Sequence, residues 1–82
     1  MLQRLPAQPA PHTLVEPLTA REGEVLLLLA QGCTNPEIAD HLCIAVSTVK
    51  VHIRNVYAKL HARNRIEAIN AAYRLHLIHH PT

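Results

Sequence analysis

In this chain of 82 residues, two cations and a valine, Lys50, Val51 and Arg54, have the side-chain types and spacing to do recognisable chemistry. Lysine and arginine donate charge-assisted hydrogen bonds to phosphate oxygens and to the acceptor edge of guanine, and a valine meets the methyl group of thymine. Spacing puts the three together. In STVKVHIRNVYAKL, residues 47–60, a rotation of about 100° per residue gathers Val49, Ile53, Val56 and Leu60 into one apolar stripe. Ser47, Val51, Arg54 and Ala58 fall on the opposite side, with Lys50 at its edge. Such a stripe anchors a helix in a core, the small residues permit close approach, and the cations reach phosphates or base edges. Those are the needs of a helix lying in a DNA groove. An ordinary amphipathic helix with a solvated basic face has the same pattern, so this segment alone leaves both readings open.

The other reactive side chains are less organised. His76, His79 and His80 have the i, i+3, i+4 spacing of metal ligands, but they lie at a fraying helix end, where imidazolium also suits the dipole. No metal site is expected there. Cys33 and Cys43 are the only cysteines, with no neighbouring Cys or His at zinc spacing, and read as small buried reduced thiols of a cytoplasmic protein. His52 with Cys43, or the carboxylates of the first two helices, have no pocket-forming loops around them, so no enzyme and no cofactor are expected. His52 itself lies between the apolar and polar faces and reads as packing.

What positions the basic face is a run of short helices. Thr19 and Glu22 form a capping box, Leu18 can staple onto the first turn, and EVLLLLA continues to Ala30 before Gly32 offers a left-handed stop. Four consecutive leucines exceed one helix face, so Leu27 is expected to be exposed or covered by another domain. A second, two-turn helix starts at Thr34-Asn35-Pro36-Glu37, with Asn35 or Thr34 as its cap, and buries Ile38, Ala39 and Leu42. Residues 43–46 leave room for a tight connection only. The third helix is expected over about 46–60 and the fourth over about 64–78.

That fourth helix has two apolar sides. Ile66, Ile69, Tyr73 and Leu77 should pack on the domain. Ala68, Ala71, Ala72, Leu75 and Ile78 form the second side, which reads as a homodimer contact; packing on a missing domain, or a merely alanine-rich surface, is the competing reading. Residues 1–17, with four of the chain's prolines, read as a flexible arm or linker, and 18–79 as one small all-α domain of four helices. No apolar run approaches a membrane span. Charge is divided unevenly: residues 1–49 carry two cations against five anions, and residues 50–82 six cations against one anion. A polyanion is the partner this favours.

Two helices joined by a short turn, the second long with a cationic outer face, make a helix-turn-helix, here over about 33–52. In order, LTAREGEVL, NPEIA, STVKVH, and KL followed by RIEA resemble the LuxR-type DNA-binding domain of bacterial response regulators and quorum-sensing activators. The resemblance covers residues 18 to about 78, and HIRNVYAKL is most similar to activators that carry this domain after a large ATP-binding sensor. It implies a transcriptional regulator that binds double-stranded promoter DNA as a homodimer on paired half-sites. RNA polymerase, or a sensor domain of a longer protein, are further partners it allows. Lys50, Val51 and Arg54 match the positions that enter the major groove in that family. Asn35, Ser47 and Thr48 are placed to bond phosphates from helix starts, and Tyr57 and Lys59 are further phosphate candidates. Glu22 would be structural. Ala45 stands where the family has a capping serine, His61 where it has a helix-ending glycine, and Gly23 where it has a larger residue. A helical protein-interaction module with an incidental basic helix is the alternative.

Overall fold

The computed structural model describes residues 16–78. The proline-rich arm expected over 1–17 lies outside them except for Glu16 and Pro17, and so do His79 and His80. Four helices follow in order: α1 (Ala20–Ala30), α2 (Asn35–Leu42), α3 (Val46–Leu60) and α4 (Arg65–Arg74). The fold is all-α, with no strand among the described residues.

Local chemistry starts three of the four helices. Thr19 accepts from the Glu22 amide at 3.1 Å while the Glu22 carboxylate accepts from the Thr19 amide at 2.9 Å. Thr34, rather than Asn35, caps α2, in a second reciprocal pair with Glu37. Asn64 caps α4 through the Glu67 amide at 2.9 Å. The start of α3 differs: its cap is Ala45, with no side-chain hydrogen bond, and Ser47 sits inside the helix rather than capping it. Helix ends are set by left-handed residues, Gly32 (φ 91°) after α1, Cys43 (φ 57°) after α2 and His61 (φ 55°) after α3. The latter two lack glycine's freedom, at a cost of about 1–2 kcal/mol each.

The core divides into two clusters. Val25, Leu28 and Leu29 of α1 pack with Ile38 and Ala39 of α2 and Val49 of α3. Leu26 packs with Val56 and Leu60 of α3, Ala68, Ala71 and Ala72 of α4, and Ile78. Leu27, the leucine expected outside, is 45% exposed.

The two sides of α4 are largely the reverse of the expected ones, although Tyr73 packs against the core as expected. Ala68, Ala71, Ala72 and Ile78 are buried in the domain's own core and Leu75 packs against it, so these residues are not available as a dimer surface. Ile66 is 71% exposed and Leu77 is exposed as well. The reason is space: Leu26, Val56 and Leu60 already fill the volume beneath α4, and only alanines let its backbone approach closely. The helix also stops at Arg74, and the turn through His76 (φ 60°) returns Ile78 to the core off the helical register. Cys33 is half-buried and Cys43 exposed, both as free thiols, so the expectation of two buried thiols fails for Cys43.

Two long-range polar contacts tie the helices together. The Lys59 ammonium donates to Glu22 Oε1 at 2.7 Å and to the Pro17 carbonyl at 3.2 Å, joining the end of α3 to the start of α1. Arg65 Nη2 donates to the Leu29 carbonyl at 2.9 Å and the Cys33 carbonyl at 2.7 Å, joining α4 to the α1–α2 link.

Candidate nucleic-acid interface

Ile38 and Ala39 fix α2 on the core and Val49 fixes α3, so residues 43–45 must reverse the chain within one tight turn. The left-handed Cys43 does this. Its amide returns to Asp40 and the Ile44 amide to Ala39, closing the end of α2, before Ala45 accepts from Thr48 and Val49 to open α3. The result is a helix-turn-helix with the starts of α2 and α3 available to an anion. First-turn amides without an intrahelical acceptor, and the positive end of the helix dipole, favour negative charge there.

Most of α3 presents the side opposite its apolar stripe to solvent. Val46, Ser47, Thr48, Lys50, Val51, Arg54, Asn55 and Ala58 are all exposed, and Val51 is 44% so. Ser47, Lys50, Val51 and Arg54 recur at i, i+3, i+4 and i+7, one side of the helix. Behind them Val49 and Val56 are fully buried and Ile53 packs against the core. The face can therefore advance toward a ligand without uncovering its anchor. Asn35 is half-exposed at the first position of α2. Asn55, four residues after Val51 at the edge of the same face, was not singled out in the sequence, although that spacing would have found it. An asparagine there can pair with an adenine edge or a phosphate. His52 is half-buried on the flank.

One expected phosphate contact is placed otherwise. Lys59 is committed to Glu22 and Pro17, with its side chain only 16% exposed, because a buried carboxylate one helix away competes for it. Tyr57 is half-buried and packs against both core clusters. Glu22 is structural: burial pushes its carboxyl up, but the Lys59 hydrogen bond and charge, with the Thr19 amide and hydroxyl, together hold it below the usual glutamate value. Among the described residues no cluster of His, Cys, Asp or Glu could hold a metal, and no helix is long and apolar enough to cross a membrane.

Comparison with known proteins agrees with this geometry. Residues 16–72 match the family described as bacterial regulatory proteins, luxR family. The chain is 47% identical over 68 residues to the transcriptional regulatory protein LiaR of Bacillus subtilis (strain 168), covering 83% of this chain and 31% of that protein. It is 49% identical over 59 residues to the HTH-type transcriptional regulator MalT of Yersinia pestis (strain Pestoides F), covering 72% of this chain and 6% of the larger one. It thus spans less than a third of either relative. Among solved structures, the response regulator ChrA of a heme-sensing two-component system superimposes with a TM-score of 0.74 at 44% identity, over 77% of this chain and 31% of that one. The transcription factor GerE does so with 0.71 at 35% identity, over 76% of this chain and 92% of that one. Exposed cations on a helix anchored behind a tight turn, and these matches over most of the described residues, lead to one conclusion: the chain belongs to the luxR family of bacterial regulatory proteins, as a helix-turn-helix DNA-binding domain of transcription regulators.

Proposed function

We propose that this domain binds specific sequences of double-stranded DNA as a homodimer on paired half-sites. The carrying observation is that Lys50, Val51 and Arg54 are exposed together on the side of α3 opposite its buried anchor. In this reading α3 lies in the major groove, Arg54 and Lys50 meet guanine O6/N7 or phosphate, and Val51 contacts a thymine methyl. Asn35, Ser47 and Thr48 hold phosphates at the starts of α2 and α3, and Asn55 joins the contact face. The dimer contact falls on the outer side of α4, around Ile66 and Ile69, in place of the buried alanines. The exposed Leu27 on α1 is open to RNA polymerase or to a sensor domain of a longer protein.

The test begins with selection of bound duplexes from a random pool. Arg54→Ala should weaken binding to the selected sequence by about 1–3 kcal/mol and relax preference at one base position. Equal weakening on selected and random DNA would reduce Arg54 to a phosphate contact. Affinity should fall steeply with salt, and Ile66→Glu should remove the advantage of paired over single half-sites. A flat salt response, with capture of a protein partner at high salt, would favour an interaction module instead.

A further inference from the structure

We infer that Arg65, on α4, is a positioning residue for the phosphate-facing start of α2. The inference rests on the DNA-binding reading above. The peptide unit between Cys33 and Thr34 immediately precedes the first turn of α2, and it is held at both ends. Its carbonyl accepts from Arg65 Nη2 at 2.7 Å, and its N–H donates to Glu37 Oε1 at 2.8 Å. The orientation of that plane sets the direction in which α2 begins, and with it the placement of Asn35. The same Arg65 nitrogen also bonds the Leu29 carbonyl at 2.9 Å, which already accepts from the Gly32 amide, so the whole α1–α2 link is fastened to one guanidinium.

The donor is itself fixed. Arg65 is the first residue of α4, directly after the Asn64 cap, and Glu67 reaches back to the Arg63 amide at 2.8 Å. A charge-assisted bond from a rigid helix start to two carbonyls at a helix end is far stiffer than a surface cation, and it opposes the negative end of the α1 dipole. Arg65 is therefore spent within the protein rather than on DNA. It makes the placement of α2 depend on α4, the helix whose next residue, Ile66, faces outward.

The 82-residue chain and its Arg65→Met variant decide this by three readings on a selected duplex and in its absence. Arg65→Met should lose about tenfold in DNA affinity while keeping the wild-type slope of log affinity against log salt, because no phosphate contact is removed. Without DNA, its Thr34 amide should exchange with solvent at least tenfold faster, with the Val56 amide unchanged. Arg65→Lys, which keeps the charge but loses the planar fork, should fall between the two, and carries the comparison if the methionine variant does not fold. A slope reduced by about one per binding site would overturn the proposal in favour of a phosphate contact. Unchanged affinity or unchanged Thr34 exchange would overturn it as well. A wild-type chain that binds no duplex sinks the DNA reading, and the role of Arg65 in it, before any variant is compared.

Discussion

The two ends of α3 carry one lysine each and use them in opposite ways. Near the start, Lys50 is exposed beside Val51 and Arg54, on a helix whose cap residue makes no side-chain bond. Near the end, Lys59 is drawn inward between Glu22 and the Pro17 carbonyl, next to the buried Leu60. One helix is thus an interface over its first turns and a structural strut over its last. The difference teaches that a cation's availability is decided by what the neighbouring element offers it, and charge along the helix does not reveal that.

The contrast is open to attack, starting with its largest expected effect. Leu60→Ala should destabilise the fold by about 2–5 kcal/mol in urea unfolding, whereas Val51→Ala at the exposed end should stay within about 0.5 kcal/mol. Comparable losses from both would erase the distinction. Lys59→Met should cost about 2–3 kcal/mol at neutral pH, below the full penalty for a buried pair because Lys59 retains some solvent. Its pH dependence sharpens the point. In the wild type the Glu22 carboxyl is held below its usual value, so its contribution is complete above the ordinary carboxylate pKa and is lost as pH falls through the lowered one. Without Lys59 the buried carboxylate has lost its counter-charge, and protonation relieves it. The stability gap between variant and wild type should therefore narrow on acidification. A gap independent of pH would mean that Lys59 acts through packing alone. The smallest effect is at the other end: Ala45→Ser should add about 1 kcal/mol by supplying the missing cap of α3.

These regions also differ in how far their sequence could be read. Capping boxes are local, so Thr19 with Glu22 and Thr34 with Glu37 announced α1 and α2 three residues at a time. The α3 stripe and its solvent face follow from helical period alone, and the same residues carried the family resemblance. Reading failed where the answer lay on another element. The choice between the sides of α4 turned on the space left by Leu26, Val56 and Leu60, and bulkier Ile66 lost to alanine there. Lys59 looked like a surface cation until Glu22, thirty-seven residues away, met it. Arg65 gave no local signal at all, since its acceptors are backbone carbonyls of a distant link.

Tyr57 packs against both core clusters, and α1 feeds Leu26 into one and Leu28 and Leu29 into the other. The helix-turn-helix is consequently not a detachable cassette. Grafting α2 and α3 onto another scaffold would cut through shared side chains rather than along a seam. A designer wishing to move this reading head must carry α1 and α4 with it.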